Sequence, residues 1–290
     1  MFFGSIPALV TPFAAGRVDE AAFRVLIDWQ IDEGSSALVP CGTTGEVATL
    51  DREEHHRLIA VAVEAARGRV PVIAGCGSYS TAASIAHVRA AEAAGAAAAL
   101  VVVPYYNKPS QAGIAAHFRA IADASDLPII VYNVPGRTVA DISVETLAEV
   151  AKIPSVVGIK DATGNLARVT AQRLACGPEF CQLSGNDDMA LGFNAMGGVG
   201  CISVTANVAP RLCAEFQAAT REGRWDDALE LQDRLFPLHA AMFADASPGP
   251  AKYALSKVRD FPTDLRLPLT EPSAAARAAV DAALEHAGLA

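Results

Sequence analysis

Eight short runs of apolar, largely β-branched residues recur along this 290-residue chain, at 6–10, 37–40, 70–74, 98–103, 128–132, 156–160, 181–184 and 200–204. Each is followed by a longer stretch whose apolar residues return at helical spacing, so the chain reads as repeated strand–helix units on a parallel sheet. The runs are apolar at successive positions rather than at every second one, as in strands buried on both faces. Such units either open into a doubly wound sheet or close into a barrel. No Gly-x-Gly-x-x-Gly turn follows the first run, and eight units favour closure. The expected fold is α/β, a (β/α)8 TIM barrel over residues 1–223.

The strand signals stop near Glu222. Residues 224–290 carry helical stretches at 225–236, 239–246, 251–259 and 273–286, separated by proline-rich joints, and are expected to form a C-terminal helical extension. Within the barrel, Asp51 before Arg-Glu-Glu and Ser143 before Val-Glu-Thr read as helix starts, while Gly34, Gly95 and Gly223 stand where helices should stop.

Composition narrows the partners. With 52% hydrophobic and 19% charged residues the chain can bury a large core, and its net charge of −9 offers no basic footprint for nucleic acid or an anionic membrane. No basic residue precedes Arg17, unlike a signal peptide, and the longest apolar stretch, 93–104, falls short of the about 20 residues that cross a bilayer. A cytoplasmic protein is expected. Six cysteines (Cys41, Cys76, Cys176, Cys181, Cys201 and Cys213) lack metal-site spacing and read as reduced packing residues. Glu53-Glu54-His55-His56 has the composition of a metal cluster, but adjacent helical residues point about 100° apart, so a solvated or interface helix face is expected there. Asp187 and Asp188 read as a helix cap without a chemical step.

The chemistry concentrates at the sixth run, Ser155-Val-Val-Gly-Ile-Lys160, which opens at once into Asp-Ala-Thr-Gly. In a barrel, catalytic groups stand at the C-terminal strand ends, which is where Lys160 lies. An amine held among apolar residues loses hydration, which favours its uncharged, nucleophilic form and suggests a Schiff base. Tyr132 ends the neighbouring run, and adjacent strands are about 4.8 Å apart, so its phenol is in reach to carry protons, or simply to pack. At the end of the second run, Thr43 and Thr44 sit between glycines in a turn whose N–H groups suit a carboxylate, unless the turn is only a helix cap. Arg137 follows Pro-Gly just beyond Tyr132 and is either a clamp for a second carboxylate or a solvated surface residue.

Three segments, Gly42-Thr-Thr-Gly-Glu46, Tyr132-Asn-Val-Pro-Gly-Arg-Thr138 and Gly158-Ile-Lys-Asp-Ala-Thr-Gly164, together resemble the dihydrodipicolinate synthase family. The resemblance extends from Gly4 to about Leu269 and includes Val103-Pro-Tyr-Tyr-Asn-Lys-Pro109 and Ser184-Gly-Asn-Asp-Asp188. It implies a class I, Schiff-base lyase of lysine and diaminopimelate biosynthesis, in which Lys160 captures pyruvate and the resulting enamine attacks aspartate 4-semialdehyde. No metal or organic cofactor is implied. By the same resemblance Tyr132 donates and accepts protons, Thr43 joins it in a relay, and Tyr106 completes that relay from a neighbouring subunit. Thr44 would bind the pyruvate carboxylate, the backbone carbonyl of Ile202 would face the substrate, and Arg137 would hold the semialdehyde's carboxylate. A homotetramer built from two tight dimers is implied too.

The chain departs from lysine-inhibited members of the family. His55, Ala48 and Tyr105 fit the effector pattern, but Val47, Arg52, Tyr79 and Ala83 stand where those members usually carry Ser, His, Asn and Glu. Loss of the carboxylate at Ala83 removes the partner for an ammonium, so weak or absent inhibition by lysine is expected. N-acetylneuraminate lyases and keto-deoxy sugar-acid aldolases share the Tyr and the Lys but lack the Pro-Gly-Arg-Thr stretch, which argues for a small carboxylated aldehyde as acceptor. A non-catalytic barrel that senses a keto acid is the alternative outside enzymes.

Overall fold

The computed structural model describes residues 2–290. Its centre is a parallel sheet in which Gly4–Pro7, Gly200–Ser203, Cys181–Ser184, Val156–Asp161, Ile129–Asn133, Ala98–Val102 and Ile73–Gly75 are neighbours in that order. The remaining gap is filled by the 37–40 segment. On one side Val39 exchanges bonds with the first strand, Leu9 N to Val39 O at 2.9 Å and Val39 N to Pro7 O at 3.0 Å. On the other, Ile73 N reaches Leu38 O at 2.8 Å and Gly75 N reaches Pro40 O at 3.0 Å. The ring therefore closes on eight staves. The second is held by isolated bridges at Leu38 and Val39 instead of a regular strand; Pro40 has no N–H to extend the ladder.

Alternation along each stave sorts side chains to two cores. One face points into the barrel, where Ile6, Val39, Ile73, Leu100, Ile130, Leu183 and Ile202 pack together. The other meets the helices through residues such as Val101, Val131 and Ile159. Strands with both faces covered need no polar side, which is why the runs look continuously apolar. Gly158 has a separate reason: a Cβ there would lie 2.5 Å from the Cys181 carbonyl oxygen on the next strand.

Asp51 forms a capping box with Glu54 at the start of helix Arg52–Ala66, and Ser143 caps helix Val144–Val150. Gly34, Gly95 and Gly223 follow helix ends with φ of 99°, 85° and 73°. One element has no counterpart in the periodicity, a short hairpin of Phe13–Ala14 and Arg17–Val18 turning at Ala15-Gly16.

The C-terminal region holds three long helices, Trp225–Ala241, Gly249–Val258 and Ala274–Ala287, where four stretches were expected. The expected break around Pro237 does not occur. Proline at that position leaves the Asp233 carbonyl without its helical donor, and His286 Nε2 supplies one at 3.2 Å. Leu235, Leu238, Leu255, Val280 and Leu284 belong to the same buried cluster as the barrel's outer face. No described helix is long and apolar enough to cross a membrane.

Candidate active site

Lys160 and Tyr132 are direct partners across two neighbouring strands, with a register shift one turn of the ladder earlier at Ile129 and Ile130. Both point inward at the C-terminal rim. Lys160 is 6% exposed and Tyr132 7%, and the Lys160 Nζ lies over the tyrosine ring, 4.1 Å from its centroid. The next residue, Asp161, points the other way and anchors the strand end. It accepts from Thr163 N at 2.9 Å, Gln172 Nε2 at 2.6 Å and Arg168 Nε at 3.1 Å. Gly185, at the end of the adjacent strand, leaves room for the lysine: a Cβ there would lie 3.1 Å from Lys160 Cε and 2.6 Å from Ala162 Cβ.

A cavity of about 120 Å³ opens over this pair, and its walls bring together Thr43, Thr44, Tyr132, Arg137 and Lys160. Val134, Ala162, Gly185, Asn186, Val204, Phe243 and Ser247 complete the lining. Thr43 and Thr44 open a 3-10 turn, Thr43–Gly45, with Thr44 buried and Thr43 exposed. Arg137 sits in a single helical turn, Pro135–Thr138, which proline can open because the first helical position needs no N–H. Two further residues lie elsewhere. Tyr106 is 91% exposed on a loop with a left-handed φ of 66° and is not in the cavity wall. The Ile202 side chain packs in the barrel interior, and Val204, two residues on, lines the cavity.

The Thr43-Thr44 turn is held from the C-terminal region. Glu46, left-handed at φ 56°, buries its carboxylate against Lys252 Nζ at 2.5 Å and accepts from Arg266 N at 3.2 Å. Lys252 also donates to the Asp264 carbonyl at 2.7 Å, and Arg266 spans Glu54 and the Thr49 carbonyl. Burial pushes the Lys252 ammonium's pKa down while the Glu46 carboxylate opposes it. Asp187 does cap a helix, though not its own: its carboxylate takes Val204 N at 2.9 Å and Thr205 N at 3.3 Å, shaping the segment that carries Val204 into the cavity.

A sequence profile of the dihydrodipicolinate synthetase family matches residues 1–287. The chain belongs to that family. It is 70% identical over 291 residues to the 4-hydroxy-tetrahydrodipicolinate synthase of Rhizorhabdus wittichii and 65% identical over 290 residues to that of Zymomonas mobilis, with all of each chain covered. Among solved structures, the chloride-inhibited dihydrodipicolinate synthase from Acinetobacter baumannii complexed with pyruvate is 42% identical and superposes with a TM-score of 0.97 over the whole of both chains.

In this member of the family, several cavity residues had no local signal in the sequence. Phe243 and Ser247 come from the region after the barrel, and only its docking on the rim brings them to the site. Of the histidine pair, expected on a solvated or interface helix face, His55 is buried at 2% exposure, because helix Thr81–Ala93 packs on its helix and places His87 beside it, while His56 stays partly exposed. Val47, Arg52, His55 and Ala83 line one surface hollow, and the rings of Tyr79 and Tyr105 meet edge to face at 5.4 Å.

Proposed function

We propose that this chain is a 4-hydroxy-tetrahydrodipicolinate synthase of diaminopimelate and lysine biosynthesis, joining pyruvate to aspartate 4-semialdehyde. The observation that carries the reading is the buried Lys160 amine, facing a cavity beside Tyr132 with Thr44 and Arg137 in the same wall. The Lys160 nitrogen adds to the C2 carbonyl of pyruvate, and loss of water gives the Schiff base. Removal of a methyl proton makes the enamine, whose carbon attacks the aldehyde. Attack of the semialdehyde's amine on the former carbonyl carbon then closes the ring and releases the lysine. Each step moves a proton, the work assigned to Tyr132 with Thr43 as its relay.

Thr44 and its turn bind the pyruvate carboxylate, the Ile202 carbonyl faces the substrate, and Arg137 holds the carboxylate of the semialdehyde. Tyr106 acts in the site of a neighbouring copy. Its 91% exposure on a left-handed loop residue suits a side chain presented outward, and the exposed Thr43 suits a site completed by another subunit. The working form is a cytoplasmic homotetramer of two tight dimers that uses neither a metal nor an organic cofactor in the reaction. Lysine inhibits weakly or not at all, since no carboxylate stands at Ala83 and Arg52 adds like charge.

A condensation assay with pyruvate tests the reading. Turnover is expected with aspartate 4-semialdehyde and none with N-acetylmannosamine at equal concentration. Turnover only with the sugar would overturn it.

A further inference from the structure

Helix Arg52–Ala66 packs against helix Thr81–Ala93, and the seam between them gathers three histidines. One ring nitrogen from each of His55, His56 and His87 lies within 4.8 Å of the others, the single such gathering of metal-ligand side chains among the described residues. None of the three lines the catalytic cavity.

The ring of His55 is fixed for ligation. Its Nε2 lies 2.7 Å from the Gly75 carbonyl oxygen; a carbonyl can only accept, so Nε2 carries the hydrogen and Nδ1 the lone pair. That Nδ1 is buried and has no hydrogen-bond partner. A metal-bound histidine is oriented in the same manner, with its second nitrogen donating to a backbone carbonyl. His56 Nε2 and His87 Nδ1 face each other at 3.1 Å, close to the about 3.3 Å that separates two ligand nitrogens on a tetrahedral ion with bonds of about 2.0–2.1 Å. When an ion comes between them, whichever ring was donating moves its hydrogen to its other nitrogen.

The three imidazoles lie close together, with ring centroids 5.7 Å apart for His55 and His56, 4.1 Å for His55 and His87, and 5.2 Å for His56 and His87. A hollow of about 380 Å³ walled by Val47, Arg52, Ala83, His55 and His87 opens beside them and leaves space for a fourth, non-protein ligand.

We propose that His55, His56 and His87 bind one zinc-class divalent ion per chain through three imidazole nitrogens and a water, at a site separate from the Schiff-base cavity. An all-imidazole set selects Zn²⁺, Co²⁺, Ni²⁺ or Cu²⁺ over Mg²⁺ and Ca²⁺, which take oxygen ligands. Arg52 in the wall of the hollow works against any cation, so it limits the affinity.

The test uses untagged, full-length protein stripped with chelator and titrated with Co²⁺, whose visible absorption reports tetrahedral nitrogen ligation, and then with Zn²⁺ as competitor. The expected result is one Co²⁺ per chain, displaced by Zn²⁺ and not by Mg²⁺. His56→Ala and His87→Ala should each weaken binding by at least about tenfold, since loss of an outer partner alone commonly costs about 10–100-fold. Arg52→Ala should tighten it. Both histidine variants should keep condensation turnover, which shows that they fold, and His87→Gln replaces His87→Ala if the latter does not. The inference is overturned if the stripped protein takes up no stoichiometric Co²⁺, or if folded His56 and His87 variants bind it as tightly as the unaltered chain.

Discussion

The chain withdraws two lysine amines from water and treats them in opposite ways. Lys252 has no exposure at all, and its ammonium is clamped by the Glu46 carboxylate and the Asp264 carbonyl. Lys160 is 6% exposed, rests on the face of Tyr132, and has no carboxylate at ion-pair distance among the described residues. Burial is common to both, so burial does not make an amine reactive. What differs is the acceptor: a clamped ammonium has no lone pair to offer, whereas Lys160 faces a cavity that a carbonyl can enter. The two are also linked, because the acid that clamps Lys252 ends the turn bearing Thr43 and Thr44.

The sharpest way to break this comparison is to remove each amine in turn. Lys160→Ala should lower kcat by at least about 10⁴-fold, as expected for the loss of a covalent nucleophile, with the melting temperature nearly unchanged; retained turnover would mean that the wrong lysine has been assigned. Lys252→Met should act mainly on stability. It strands the Glu46 carboxylate in the core at a cost of about 3–5 kcal/mol in unfolding free energy, readable by denaturant titration, and the double variant Lys252→Met with Glu46→Gln should recover part of that loss.

A pH scan separates both lysines from the histidines. His117 is buried at 4% exposure, with Nδ1 on Thr81 Oγ1 at 2.9 Å and Nε2 unpartnered, and burial lowers its pKa from 6.5 to about 4. Between those values the unfolded chain binds the proton and the native chain does not. Unfolding free energy therefore falls as pH drops from 6.5 towards 4, by as much as about 3 kcal/mol for this one group. His117→Gln should flatten that part of the curve if it folds. An unchanged slope in the folded variant would assign the acid loss elsewhere.

The smallest effect expected is at Gly185→Ala, where the new methyl group meets Ala162 Cβ and Lys160 Cε. Crowding of this kind costs about 1–3 kcal/mol. Part of the cost should appear as slower Schiff-base formation, measured by single-turnover kinetics with pyruvate, because the amine itself is displaced.

The barrel was legible because each stave is covered on both faces and so announces itself as a short apolar run. The second stave was the least regular, held by bridges next to Pro40. At the rim, Lys160 and Tyr132 could be read from where their runs end, since parallel strands that start in step finish in step. Tertiary docking could not be read. Phe243 and Ser247 reach the cavity, and Lys252 and Arg266 reach Glu46, only because the last helices fold back on the barrel. For the same reason the His55-His56 pair gave no hint of His87, which lies 31 residues beyond His56 and meets it across a helix seam. Pro237 misled in the other direction, because the carbonyl it orphans finds a donor on another helix.

The most direct test of the central claim is borohydride reduction of the protein with and without pyruvate, followed by peptide mass mapping. The account predicts a single pyruvate-dependent mass increase, carried by the peptide containing Lys160, with the Lys252 peptide unmodified. A pyruvate-dependent adduct on Lys252, or none on Lys160, would contradict it.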